Sequence, residues 1–321
     1  MAMLPYRRKL TDTGVETIQG IALVTAAYMG MSLGDGSVKW ALPAAGLAGA
    51  MIGRAVFGMP TVALVARLQG RGGWRRLRPV RWPLVLLRSV LHCASALCWY
   101  LAWNMHMALA DSYAVGFCTP LIMTLAAVPL LHERLRSYRV AAIAFGFMGV
   151  LVMLRPGGEL WTPATGVMVL GLFPLAGSRI LIRFLATTET AECLTFWMIA
   201  MHLPMGLLVW VFAPIPGLTW AALVALVVNG LCNGVAHWLQ SRAFALAPIG
   251  ALAPYEYTSL LWGTAVGWVL FAELPKRDAL LGAAIVIAAS LYNLHREQLR
   301  RRAELDAAAL AGRGPAAPGA E

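Results

Sequence analysis

Residues 219–241 read TWAALVALVVNGLCNGVAHWLQS, without a single Asp, Glu, Lys or Arg. As a helix rising 1.5 Å per residue this run is about 35 Å long, enough to cross a hydrocarbon core of ~30 Å. Working outward, the same length and apolarity recur at 15–36, 43–66, 83–103, 110–131, 138–154, 163–185, 192–212, 247–271 and 279–295. The composition agrees with so many spans: of 321 residues 60% are hydrophobic and only 13% charged, about half the charge content of a soluble domain. The sequence therefore predicts an all-α integral membrane protein of ten transmembrane helices.

Charge placement tests that count. With the N-terminus cytoplasmic, nineteen of the 26 Lys and Arg fall in inner segments, among them Arg7, Arg8, Lys9, Arg75, Arg76 and Arg134. Outer loops hold four, Lys39, Arg155, Lys276 and Arg277, while Arg54, Arg88 and Arg179 lie within spans. One missed helix would invert every later loop and erase the asymmetry, so the positive-inside rule supports ten spans with both termini cytoplasmic. The basic clusters behind the net charge of +11 are loop charges with no interleaved aromatics, which argues against a nucleic-acid partner. Arg7-Arg8-Lys9 precede an apolar run as in a signal peptide, but no convincing cleavage site follows, so the run is read as a retained span.

Two stretches half a chain apart read alike. Ala108-Leu109-Ala110 leads through a span to Glu133-Arg134-Leu135, and Ala245-Leu246-Ala247 leads through another to Glu273-Leu274-Pro275. The likeness divides the chain into a cytoplasmic start at 1–14, a first repeat over 15–155, a second over 156–300 and a disordered cytoplasmic tail at 301–321. Five helices per half is odd, so the halves are inverted, and inverted repeats place a substrate site near the midplane between them. Gly30/Gly34, Gly49/Gly53, Gly230/Gly234 and Gly263/Gly267 have the spacing that lets helix backbones approach closely. They are read as packing contacts first and hinges second. Cys93, Cys98, Cys118, Cys193 and Cys232 lie in apolar runs without metal-ligand spacing and are read as packing residues.

The runs Ala110-Asp111-Ser112-Tyr113-Ala114 through Pro120-Leu121 to Leu131-His132-Glu133-Arg134-Leu135, and Ala253-Pro254-Tyr255-Glu256-Tyr257 through Trp262 to Phe271-Ala272-Glu273-Leu274-Pro275, resemble matching parts of the two repeats of EamA-like drug/metabolite transporters. Asp35, Lys39 and Arg54 also look like that group, and His132 departs from its usual Gly. The resemblance covers residues 15–295 and implies a ten-helix bacterial inner-membrane transporter without cofactor or metal, working on a small molecule in lipid, with protons as a candidate coupling ion, as monomer or homodimer. The second-half pattern looks nearest to members that carry riboflavin or S-adenosylmethionine. Amino acids, other metabolites and drugs are the alternative cargo.

Charged groups at the bilayer centre are costly, so each marks a partner or a wet cavity. Arg54 is read either as a clamp for an anionic substrate group or as a tie to helix-end carbonyls or to Asp35 toward the outer end of the preceding span. Glu256, between Tyr255 and Tyr257, is either a proton-exchange group or one satisfied by a neighbouring helix. His237 shares a face with Asn233 and Asn229. Arg88, His92, Ser95, Trp99 and Trp103 form one face of the third span, with Tyr100 and Asn104 beside it. Those aromatics either stack a planar substrate or join the interfacial belt, the belt being preferred for Trp103. Arg88 and Arg179 are expected to snorkel to the cytoplasmic interface, Tyr113 is a candidate gate, and Glu133 and Glu273 are read as structural. The candidate substrate residues are thus Arg54, Trp99, Tyr100, Asn104, Tyr113, Asn233, His237, Tyr255 and Tyr257, with Asp35 and Glu256 as coupling or charge-pair groups.

Other classes find little support. There is no GxxxxGK[ST] phosphate loop and no HExxH. Ser32-Leu33-Gly34-Asp35 approaches an intramembrane aspartyl protease pattern but lacks its first Gly and a second Asp preceded by Tyr. A membrane enzyme is therefore disfavoured, and a non-transporting scaffold has no soluble binding domain to recommend it.

Overall fold

The computed structural model describes residues 14–68, 73–119, 122–123, 126, 137–153, 157–158, 160–185, 188–246 and 252–311. Glu133, read as structural, and the tail from 312 onward lie outside the described residues. The described part is helical, with no strand among the described residues. Its helices are α1 (Gly14–Leu68), α2 (Trp82–Asn104), α3 (Leu109–Gly116), α4 (Ser137–Met153), α5 (Pro163–Leu185), α6 (Ala191–Ala200), α7 (His202–Phe212), α8 (Trp220–Leu246), α9 (Thr258–Phe271) and α10 (Arg277–Ala311). Stretches within α1, α2, α5, α8 and the near-continuous α6–α7 are long and apolar enough to cross a membrane.

The arrangement of side chains is that of a protein in lipid. Large apolar residues point outward, with Phe212 81%, Trp220 78%, Val211 76% and Val269 74% exposed. The interior is rich in Ala, Ser and Gly together with buried Arg54, Arg88, Lys39, Asp111 and His202. In water this inversion would be ruinous, whereas in hydrocarbon it is what small-residue helix packing and inward-facing polar groups require.

α1 holds the bundle's centre and runs against α8, α7 and α9. The sequence placed a loop at 37–42, but the helix continues through it and breaks at Gly46, where φ is +62° and ψ −179°. That is an extended left-handed conformation open in practice only to Gly. The consequence is positional: Asp35 lies eleven residues before the break, about 16 Å along the axis, and so sits well inside the span. Lys39, read as an outer-loop cation, is likewise buried in α1.

The glycines explain how α1 and α8 come so close. A Cβ on Gly230 would lie 2.5 Å from Phe57 Cβ and 2.8 Å from Gly58 N, and one on Gly34 would lie 2.4 Å from Asn233 Nδ2. The second-half span read as continuous over 247–271 instead contains a short 3₁₀ stretch, Ala253–Tyr257, that leads into α9. At the other end of the chain α10 continues to Ala311, through much of the segment read from sequence as a disordered tail.

Candidate functional site

A cavity of about 820 Å³, counting the part open to solvent, lies among α1, α2, α3, α5, α8 and the 3₁₀ stretch before α9. It falls in the size range of small-molecule sites. Its wall includes Asp35, Arg54, Trp99, Tyr100, Tyr113, Asn233, His237 and Glu256 from the sequence-derived set, joined by Tyr28, Met31, His92, Ser95, Arg179 and Ser259.

α1 supplies both ends of the polar lining because its break bends one long apolar run back on itself. Before the break, Asp35 Oδ2 accepts a hydrogen bond of 2.7 Å from Tyr113 OH on α3. After it, Arg54, 5% exposed, donates from Nη1 to Tyr100 OH at 3.0 Å and from Nη2 to His237 Nε2 at 3.2 Å. A guanidinium can only donate, so His237 accepts through Nε2 and carries its proton on Nδ1. The expected Arg54–Asp35 tie is replaced by these partners. His92 faces His237 edge-on at 5.7 Å and His202 at 5.9 Å.

Arg179 corrects the reading most. Instead of snorkelling to the interface it turns inward, and its Nη1 donates to Glu256 Oε1 at 2.5 Å. Both side chains are about a third exposed, 32% and 28%, in a region they line together. Arg88 does not snorkel either. It is buried on the α6 side, with Nη1 donating to Leu194 O at 2.7 Å. Trp103, assigned to the interfacial belt, is 3% exposed and donates Nε1–H to Ser112 Oγ at 2.8 Å. Of the Phe, Tyr and Trp side chains lining the cavity, Tyr28, Tyr100, Trp103, Tyr113 and Phe117 are buried and Trp99 is half-buried, so Trp99 is the most accessible of these rings.

Three nominated residues stand apart from the cavity. Asn104 ends α2 and is exposed. Tyr255 packs with Val24 and Tyr28, and Tyr257 packs edge-on against Phe117 at 5.1 Å. The reason is local: in a 3₁₀ turn successive side chains diverge by about 120°, so with Glu256 facing the cavity its two neighbours face away.

A further set of polar contacts ties α1 and the start of α3 to the segment between α9 and α10. Lys39 Nζ donates to Glu273 at 2.5 and 2.7 Å and to Met107 O at 2.9 Å, and Glu273 also accepts from Leu109 N at 3.2 Å. Beside them Lys276 N donates to Asp111 Oδ1 at 3.0 Å. No cluster of His, Cys, Asp and Glu suited to a metal ion occurs among the described residues, and the five cysteines are unpaired thiols.

Comparison with known proteins adds names to this geometry. No family model matches the chain. A riboflavin transporter of Brucella anthropi is 26% identical over 271 residues, 81% of this chain and 93% of that protein. A riboflavin transporter of Vibrio cholerae is 21% identical over 291 residues, 89% and 96% of the two chains. An S-adenosylmethionine uptake transporter of Rickettsia felis is 25% identical over 205 residues, 61% of this chain and 68% of that one. A solved crystal structure, 18% identical, superposes with a TM-score of 0.56 over 87% of this chain and 95% of its own, which speaks to fold alone.

An all-helical membrane body around a polar and aromatic cavity, with relatives named as carriers, defines a membrane transporter of a small molecule and not an enzyme. Within that class the chain is similar to proteins named as riboflavin and S-adenosylmethionine carriers, and EamA-like placement is consistent with this.

Proposed function

We propose that the chain is a secondary transporter moving a small planar metabolite of the riboflavin kind across the bacterial inner membrane by alternating access. It crosses ten times, as inverted halves over 15–155 and 156–300, with both termini cytoplasmic and with proton movement coupled through Glu256. The observation that carries this reading is the cavity itself. One wall offers an accessible indole face at Trp99, and opposed polar groups, Arg54 with His237 and Arg179 with Glu256, stand around it. Aromatic surface with a few fixed polar groups suits a flat ring bearing a hydroxylated tail.

The 3₁₀ stretch at Ala253–Tyr257 supports the same reading, because carriers build midplane sites from discontinuous helices. Glu256 is suited to coupling because it is half-buried, borders the cavity, and can exchange Arg179 for a proton.

Uptake of riboflavin into proteoliposomes, with and without an imposed proton gradient, tests the proposal. Saturable uptake above empty liposomes, enhanced by the gradient, is expected. S-adenosylmethionine serves as the comparison cargo. Failure of riboflavin to enter or to compete, under either gradient condition, rejects the substrate assignment.

A further inference from the structure

Most polar side chains on the cavity wall have partners: Asp35 takes Tyr113, Tyr100 takes Arg54, and Arg179 takes Glu256. Two buried polar atoms of residues on the same wall have none. Arg54 spends both terminal nitrogens on Tyr100 and His237, and its Nε–H finds no acceptor. His92, one helix over on α2, has an unpartnered and buried Nε2. A buried donor without a partner is rare in folded proteins and calls for a specific explanation. Here the two orphans belong to residues that border one cavity, beside the accessible face of Trp99, in a chain whose class is transporter.

The chemistry narrows what can satisfy them. Arg54 Nε can only donate, so it requires an acceptor, such as a carbonyl, carboxylate or hydroxyl oxygen or an unprotonated ring nitrogen. His92 Nε2 can accept from an N–H in one tautomer or donate in the other. An amide or imide edge, a ring carbonyl next to a ring N–H, serves both at once, and a planar ring carrying such an edge brings a face to Trp99. A cationic group at this end would meet the Arg54 guanidinium and be repelled.

We infer that Arg54 Nε and His92 Nε2 together read an imide-type edge of a neutral planar nitrogen heterocycle, making His92 a specificity-determining residue of the site. This rests on the transporter reading above and deepens it.

The test is equilibrium binding to the purified full chain in detergent, followed by quenching of flavin fluorescence. Riboflavin is compared with riboflavin methylated at N3, which blocks the edge N–H and leaves the ring and tail. Wild type is expected to bind the methylated compound about tenfold more weakly, equivalent to about 1.4 kcal/mol. His92→Ala is expected to lose about tenfold for riboflavin and to bind the two compounds within about twofold of each other. His92→Gln, which keeps a hydrogen-bonding group, is expected to regain part of the discrimination, a result that mere disturbance of the fold would not give. Equal binding of the two compounds by wild type, or undiminished discrimination by His92→Ala, overturns the inference while leaving the carrier reading intact. Absence of riboflavin binding to wild type overturns both the riboflavin assignment and this inference.

Discussion

Glu273→Ala should be among the most damaging single substitutions outside the cavity. Lys39 is buried in α1, with 8% of its side chain exposed, and Glu273 holds its ammonium through both carboxylate oxygens at 2.5 and 2.7 Å. Removing the carboxylate leaves Lys39 with Met107 O at 2.9 Å and the Phe271 ring at 4.7 Å, and strips Leu109 N of its acceptor. Breaking a buried pair from one side typically costs 3–5 kcal/mol. Glu273 keeps 27% of its side chain exposed, which allows water to reach the vacancy, so we expect about 3 kcal/mol, at the low end of that range. The double variant Lys39→Met/Glu273→Leu removes both charges and should return to within about 1 kcal/mol of wild type, because replacing both partners by apolar groups is often near neutral. Denaturant unfolding in detergent, followed by tryptophan fluorescence, measures both. A Glu273→Ala variant within about 0.5 kcal/mol of wild type, a difference ordinary for an inconsequential surface change, would refute the reasoning. So would a double variant as unstable as the sum of its singles.

Gly46→Ala should lose about 1–3 kcal/mol in the same assay, because φ of +62° with ψ of −179° strains any residue with a Cβ; unchanged stability would mean that α1 does not break there. Gly230→Ala should cost at least about 1–3 kcal/mol as an overpacking change, since its Cβ would meet backbone of Gly58 as well as Phe57. Glu256→Gln should bind riboflavin yet lose the effect of a proton gradient on its uptake, and gradient-driven uptake equal to wild type would remove Glu256 from coupling. Arg179→Ala, which leaves Glu256 without its 2.5 Å partner, should lower uptake more than Arg179→Lys, and equal rates for the two would argue against a role for the charge.

The helical membrane character was legible from the sequence because lipid selects on a property averaged over some twenty residues, and averages survive ignorance of tertiary contacts. The break in α1 was not legible. Residues 37–42 read as a loop because Asp35, Gly36 and Lys39 interrupt the apolar run, yet each charge has a partner far along the chain, Tyr113 for Asp35 and Glu273 for Lys39. Once those partners are present, the helix has no reason to stop until Gly46 supplies a conformation that no side chain would tolerate. The small-residue pairs read as packing contacts correspond to close approaches, α1 on α8 through Gly30, Gly34, Gly230 and Gly234. Spacing alone could nominate those glycines but not the residues they meet, Ala236, Asn233, Phe57 and Thr61.

The same distinction governs the cavity. Periodicity within one helix placed His92, Ser95 and Trp99 on a common face, and all three line the cavity. His92 was visible there and passed over, because a histidine on an apolar face has meaning only when its neighbours are known. Arg179 was misjudged for the converse reason: seen along its own helix it is a long side chain within reach of the interface, where snorkelling costs little. Glu256, 77 positions further along the chain, turns it inward. An embedded cation can be drawn inward by a counter-charge on another element, as Arg179 is by Glu256, or by neutral acceptors, as Arg88 is by Leu194 O, and neither is visible along its own helix. Within spans, therefore, the lone Arg and the lone Glu are better read as a pair to be matched across helices than as two separate problems. By that rule Arg179 belonged with Glu256 from the outset, and Arg54, for which Asp35 is taken by Tyr113, is the cation left facing the cavity with an unused donor.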